Sequence, residues 1–124
     1  MLGFMMGIRL TKAFTPLTDQ AIDLVGGNLG IFELADQNDA VLFIGYAGGK
    51  SLFGLRGVLQ AYKPKTSATR FRIEINAAYL TRYQELLMTY LADFGQLPAE
   101  NEAGDRENLG KLSPYSTEGG ANGS

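Results

Sequence analysis

The sequence predicts an α+β domain built on a small three-stranded antiparallel sheet that is flanked by helices. Two apolar runs, residues 29–35 and 40–47, are joined by the turn formers DQND, which is the pattern of a β-hairpin. A third run, RFRIEI, alternates apolar and charged residues as a half-buried strand does. Two segments with apolar residues at helical spacing, near 51–62 and 78–94, precede and follow the third strand.

The chain divides into three parts. Residues 1–27 form an N-terminal extension, in which Thr18 and the apolar positions after it predict a short helix that ends at Gly26 and Gly27. Residues 28–101 hold the predicted strands and helices and form the folded domain. Residues 102–124 have few aromatic or branched side chains, so we expect a disordered acidic and glycine-rich tail.

The strand and helix patterns differ from one element to the next. Both hairpin arms are apolar at nearly every position, so we expect both of their faces to be covered. The third strand, expected over residues 69–76, turns Phe71, Ile73 and Ile75 to one face and its charged residues to the other. Residues 78–94 carry a wide apolar stripe that ends at a glycine. Residues 51–62 carry a shorter stripe with two glycines, each of which weakens the helix by up to ~1 kcal/mol, so packing must hold it.

Composition excludes several kinds of site. The 124 residues include no cysteine and no histidine, which excludes disulfides, thiolate metal sites and a histidine general base. No apolar run approaches the ~18 residues of a membrane span. The apolar start precedes its basic residues, which is a poor signal peptide, although Met1, Met5 and Met6 leave the true start open. We therefore expect a cytoplasmic protein that is not associated with a membrane.

Basic residues are concentrated in the middle of the chain. The net charge is −2, yet residues 50–82 carry seven basic side chains and a single acid, Glu74. This asymmetry fits a surface that binds a polyanion. It equally fits a solvated face that is balanced by carboxylates folded nearby, and the sequence alone leaves both interpretations open.

The stretch VLFIGYAGGKS, residues 41–51, ends like a phosphate loop, G-x-x-x-x-G-K-[ST]. The first glycine of that motif should stand at position 44, which is Ile44. A shortened loop cannot wrap a diphosphate with successive backbone N–H groups. We therefore set the nucleotide interpretation aside, and Lys50 is either a phosphate contact or the polar start of a helix.

Two triplets in the hairpin point to a different family. Gly30-Ile31-Phe32 opens the first strand, Phe43-Ile44-Gly45 lies in the second, and ten residues separate them. This arrangement resembles the GIY-YIG nuclease domain, which is named for two such triplets at ten- or eleven-residue spacing. The resemblance covers about residues 28–101 and implies the same small sheet flanked by helices.

The resemblance implies hydrolysis of a phosphodiester bond in DNA, assisted by one Mg²⁺ or Mn²⁺ ion. Arg56 matches the family's arginine on the helix after the second triplet, and Glu85 matches its single metal-ligating glutamate. Glu74 shares a strand face with Arg70 and Arg72, so we expect it to form a surface ion pair, and it is only the reserve choice for that ligand. Asn101 matches an asparagine near the family domain's end. The candidate substrate contacts are then Lys50, Arg70, Arg72 and Asn101.

The sequence also departs from the family at its catalytic tyrosines. Both are replaced, by Phe32 and Phe43, which keep the ring and lose the hydroxyl. Tyr62 is the nearest replacement for that hydroxyl. We expect Phe32, Phe43, Arg56 and Glu85 to converge on one cleft, although helix phase alone turns Glu85 away from the apolar stripe. Two functions stay open: a weakened nuclease, or a catalytically degenerate module that binds nucleic acid or a protein partner.

Overall fold

The computed structural model describes residues 9–101, which form a four-stranded antiparallel sheet with three α-helices. The sheet order is β1-β4-β2-β3. The α+β class is confirmed, and the short strand β1 is an addition to the three predicted strands. Within these residues no helix has the length and apolar character needed to cross a membrane. The elements in chain order are β1 (Thr15–Pro16), α1 (Asp19–Asp23), β2 (Gly30–Ala35), β3 (Val41–Ala47), α2 (Gly54–Tyr62), β4 (Arg70–Ile75) and α3 (Tyr79–Phe94).

The sheet carries a separate apolar core on each face, and β2 is buried on both. Side chains alternate along β2, so Phe32 and Leu34 point to one face and Ile31 points to the other. Helices α1 and α2 cover the first face, which we call the α2 face. Helix α3 covers the second, which we call the α3 face, through Leu86 and Leu87.

The segment before β2 contributes to both cores. Leu10 packs on the α3 face, and Ile22 and Val25 pack on the α2 face. Helix α1 begins where Thr18 caps it, since the Thr18 hydroxyl accepts a hydrogen bond from the Ala21 amide at 3.1 Å. The predicted short helix is therefore confirmed, although it ends at Asp23 and does not reach Gly26. The predicted tail over residues 102–124 lies outside the described residues.

Helix α2 begins three residues later than the sequence predicts. Phe53 and Gly54 both have positive φ, 65° and 57°, and turn the chain sharply into the helix. A side chain at Gly54 would place its Cβ 2.2 Å from the carbonyl oxygen of Gly27, so this contact requires glycine. Leu52 consequently precedes the helix and is exposed, whereas Leu55 and Leu59 are buried as predicted.

Candidate functional site

The aromatic residues of the two triplets meet on the α2 face together with Tyr62. The ring centroids of Phe32 and Phe43 are 5.8 Å apart, and the Tyr62 ring lies 4.8 Å from that of Phe43. A Cβ at Gly45 would lie 2.5 Å from Phe32 Cζ, so the second triplet's glycine makes room for these rings. The triplets thus have a packing role in this chain whatever else they do.

Arg56 lies on the same side of the sheet and is tied to the end of α1. Its Nε donates a hydrogen bond of 2.7 Å to the carbonyl oxygen of Val25. This bond holds the guanidinium against the loop that follows α1. One edge of the guanidinium is therefore already used inside the fold.

Glu85 lies on the α3 face, so the fold does not bring the four residues that we expect to converge onto one face of the sheet. Its helix neighbours Leu86 and Leu87 pack against Ile31 and Ile44. Those two residues alternate with the triplet phenylalanines and therefore point to the opposite side of the sheet. Helical phase and strand alternation together place the carboxylate across the sheet from Arg56.

The carboxylate of Glu85 is part of an ion-pair network on the α3 face. Its Oε1 accepts a hydrogen bond of 2.6 Å from Arg82 Nη1, while Arg82 Nε donates to Glu74 Oε2 at 2.9 Å. Burial opposes ionisation of Glu74, but hydrogen bonds from Arg82 and Asn76 outweigh it and lower the pKa of Glu74. The Arg82 guanidinium lies between the two carboxylates and donates a hydrogen bond to each.

These carboxylates are a poor fit to a divalent ion. Arg82 already occupies the position of the counter-cation for Glu85 and Glu74, so a metal ion would compete with it for the same oxygens. Among residues 9–101 no group of three or more acidic, histidine or cysteine side chains is arranged to hold a metal.

The candidate substrate contacts are divided between surfaces. Arg70 pairs with Asp39 at 3.3 Å and Arg72 pairs with Glu33 at 2.7 Å, both on the α3 face. Lys50 is exposed in the turn before α2. The amide of Gly48 donates to Ser51 Oγ and that of Gly49 to the Tyr79 hydroxyl, so two amides of the glycine turn are used within the fold.

Asn101 is buried against the edge of the sheet. Its side-chain amide bonds the N–H and the C=O of Ile44, both at 3.0 Å, as a residue of a neighbouring strand would. The Glu100 amide donates to the Leu42 carbonyl oxygen at 2.7 Å. Residues 100 and 101 therefore cover the first half of the outer edge of β3.

The second half of this edge opens onto a cavity of about 560 Å³. Because the N–H and C=O of Ile44 point outward, those of Tyr46 two residues on point the same way. Tyr46 is 41% exposed, and its ring packs on Tyr83 at 4.8 Å between centroids. The cavity is lined by rings from both faces of the sheet and by few polar groups: Phe43, Gly45, Tyr46, Val58, Tyr62, Tyr83 and Glu100.

Sequence reasoning missed Glu33, which is only 4% exposed in the middle of β2. Its Oε1 accepts a hydrogen bond of 2.8 Å from Arg72 Nε. Burial raises the pKa of Glu33, and the nearby charge of Arg72 opposes that rise without cancelling it. The signal was available, because Glu33 is the one charged residue in the apolar run 29–35.

Comparison with known proteins gives one match. The family model described as "Domain of unknown function (DUF7508)" matches residues 8–93, from just before β1 almost to the end of α3. No curated protein and no solved structure is significantly similar to the chain.

Proposed function

We propose that this chain, which belongs to the family described as Domain of unknown function (DUF7508), is a non-catalytic binding module. Its ligand on this proposal is an extended segment of a partner protein, bound along the open end of β3. The order strand, strand, helix, strand, helix over residues 30–94 supports a scaffold of GIY-YIG type that has lost its chemistry.

The observation that carries the non-catalytic interpretation is the placement of Arg56 and Glu85 on opposite faces of the sheet. Phosphodiester hydrolysis needs the charge-balancing arginine and the metal ligand at one phosphate. Two side chains on opposite faces of a sheet are poorly placed to contact the same phosphate. The missing hydroxyls of Phe32 and Phe43 remove a further contribution to catalysis, which is typically worth ~10²–10⁴-fold.

The open end of β3 has the features that bind an extended peptide. An added strand forms main-chain hydrogen bonds with an edge, and its alternate side chains enter pockets on the two faces. The outward N–H and C=O of Tyr46 can form the main-chain hydrogen bonds. Apolar surface for the side chains of the peptide is present on both faces: the rings of Phe43 and Tyr62 on the α2 face, and those of Tyr46 and Tyr83 on the α3 face.

Charge favours a protein over a nucleic acid at this edge. Within residues 9–101, the side chains that line the cavity include one carboxylate, Glu100, and no lysine or arginine. Binding of a phosphate backbone depends on neutralising cations at the contact. An apolar peptide segment requires none.

A selection from a library of random 12-residue peptides against the full chain tests this function. We expect selected peptides to alternate apolar side chains, and to bind Tyr46→Pro at least tenfold more weakly than Tyr46→Ala. Both variants lose the ring, but only the proline variant loses the outward N–H, and an edge position tolerates proline. Peptides that bind the two variants equally would contradict pairing with β3.

The competing function is a weakened nuclease, which the 4.8 Å approach of the Tyr62 ring to Phe43 favours by bringing a hydroxyl-bearing ring to the triplets. Incubation with plasmid and branched DNA in Mg²⁺ or Mn²⁺ tests it, with Glu85→Ala as control. We expect no cleavage that depends on Glu85. Cleavage that is lost in Glu85→Ala and increased in Phe43→Tyr would overturn the non-catalytic interpretation.

A further inference from the structure

A cavity of about 420 Å³ lies on the α3 face, and among the described residues its lining shares no member with the cavity at the open end of β3. It is lined by the C-terminal half of α3, the hairpin end of β2 and β3, and residues 9–10. Its volume is within the ~300–1,000 Å³ of small-molecule sites. Apolar side chains form most of the wall, including Leu10, Val41, Ile44 and Leu86.

Glu33 lines this cavity with a carboxylate that is only partly paired. Arg72 contacts Oε1 through both Nε and Nη2, at 2.8 and 2.7 Å. Both of these contacts are made to the same oxygen, and neither involves Oε2. A carboxylate more than nine-tenths buried thus presents an acceptor to the cavity.

Two aromatic rings stand in the same wall. The centroids of Tyr90 and Phe94 are 4.4 Å apart, and both residues line the cavity. The faces of such rings attract cations. The C-terminal end of α3, which carries a partial negative charge, is at Phe94.

The other charges around the cavity are already matched. Arg9 pairs with Asp93 at 2.6 Å, and Asp39 pairs with Arg70. The lining therefore combines paired charges at its rim with an acceptor at Glu33. An anion would meet that carboxylate, and a purely apolar ligand would leave it without a partner.

We propose that this cavity binds a small organic cation, an apolar body that carries a protonated amine. The ammonium group donates to Glu33 Oε2 and lies against the rings of Tyr90 and Phe94, while the apolar body packs against the apolar wall of the cavity.

Burial raises the pKa of Glu33 in the absence of such a ligand, with Arg72 opposing the rise, and a second cation would lower that pKa. Affinity therefore increases as pH rises through the pKa of Glu33. The other charged or titratable groups that face Glu33 or line the cavity are Arg72, Arg82, Glu74, Arg9, Asp39, Asp93 and Tyr90.

Titration of the full chain with phenethylamine and with phenethyl alcohol, followed by backbone NMR, tests this proposal. The two probes have the same apolar body and differ in charge. We expect phenethylamine to bind at least tenfold more tightly and to shift the amides of Glu33, Leu86 and Tyr90. In Glu33→Gln the preference should fall to threefold or less, whereas Glu85→Gln, which alters a carboxylate outside the cavity, should keep it.

A second variant keeps the proposal testable if Glu33→Gln does not fold. Thr89→Phe adds a ring to the cavity wall from α3 and should abolish binding of both probes. Equal affinity for the two probes, or binding that survives Thr89→Phe, would overturn the proposal. Shifts confined to the β3 edge would do the same, and that result would leave the proposed peptide site intact.

Discussion

At the scale of single residues, Arg72 organises the polar side of β4. Its guanidinium contacts Glu33, donates to the Lys12 carbonyl oxygen at 2.8 Å and lies 4.1 Å from the centre of the Phe14 ring. The side chains of Arg72 and Glu33 are 15% and 6% exposed. A pair at this depth gains little net energy when intact, but loss of one partner leaves a buried charge without compensation.

We expect Arg72→Met to lower the free energy of unfolding by about 3–5 kcal/mol, because Glu33 would remain buried and unpaired. Arg70→Met is the matched control, since its pair with Asp39 is 40% and 52% exposed. A surface pair of that kind contributes at most ~1 kcal/mol. Urea unfolding of both variants measures the difference, and equal losses would show that burial does not distinguish the two pairs.

The raised pKa of Glu33 predicts a specific pH dependence. The unfolded chain releases this proton near the ordinary value of 4.5, whereas the folded chain holds it to higher pH. The contribution of the protonated Glu33 carboxyl to stability is therefore fully present below pH 4.5, and it is lost as the pH rises through the pKa of Glu33 in the folded chain. Other carboxylates, such as Glu74 and Glu100, have lowered pKa values and act in the opposite sense, but they are common to wild type and variant.

Glu33→Gln removes this titration while keeping the size of the side chain. We expect the stability of the wild type relative to Glu33→Gln to fall as pH rises above about 4.5, because only the wild type must ionise a buried carboxyl. Urea unfolding between pH 4 and pH 8 supplies the comparison. If the difference in unfolding free energy between wild type and Glu33→Gln is constant with pH, or grows in favour of the wild type, Arg72 fully compensates the negative charge of Glu33.

At the scale of elements, the start of α2 stores backbone strain. Phe53 has φ 65°, is 64% exposed and precedes the helix without a capping hydrogen bond from its side chain. A left-handed conformation costs an L-residue about 1–2 kcal/mol, and glycine avoids that cost. We expect Phe53→Gly to be more stable than Phe53→Ala by about 1 kcal/mol.

A glycine variant that is more stable than the alanine variant at residue 53 would reverse the usual preference of helices for alanine. Ala61→Gly, at an exposed position inside α2, provides the control and should lose about 1 kcal/mol relative to wild type. Thermal unfolding of the three variants measures these differences in stability. If Phe53→Ala is more stable than Phe53→Gly, the strained turn is not present in solution.

The edge of β3 is held by a side chain instead of a strand. Asn101→Ala removes both bonds to Ile44 and leaves these backbone groups without their partner. We expect a loss of about 1–3 kcal/mol in unfolding free energy and faster hydrogen exchange at the Ile44 amide. Asn38→Ala, in the exposed hairpin turn, should change neither quantity, because Asn38 takes part there through its backbone amide. Unchanged exchange at Ile44 in Asn101→Ala would contradict this role.

The elements themselves were largely predictable, because their patterns are local. The three predicted strands and α3 lie within one residue of the predicted bounds, since alternation and the 3.6-residue stripe are read from neighbouring positions. The late start of α2 was not predictable, because it depends on the contact of Gly54 with Gly27 across a loop. The choice of face for α3 was equally hidden, since an apolar stripe is compatible with either side of a sheet buried on both. This choice is what separates Glu85 from Arg56.

At the scale of the whole molecule, folding neutralises the basic middle of the chain. Four of the seven basic residues in 50–82 form ion pairs with acids of the described part of the chain: Lys63, Arg70, Arg72 and Arg82. Three of the acids come from earlier in the chain, at Asp19, Glu33 and Asp39, so their proximity is a product of the fold. Of the two interpretations that charge alone left open, the balanced surface agrees better with these pairs.

This balance leads to a prediction about nucleic acid. Non-specific binding to duplex DNA requires a set of cations that face the phosphates together, and it weakens with salt in proportion to the number of phosphates neutralised. We expect the wild type to bind a duplex with a dissociation constant weaker than about 10⁻⁴ M at physiological salt. Asp19→Lys with Asp39→Lys releases Lys63 and Arg70 and adds two cations, so this double variant should bind more tightly, with a steeper dependence on salt. Fluorescence anisotropy with a labelled duplex over a range of salt concentrations measures both quantities. Micromolar binding by the wild type, with a salt dependence that corresponds to several neutralised phosphates, would instead favour a nucleic-acid partner. That result would place the ion-paired lysine and arginine side chains at the interface with the nucleic acid.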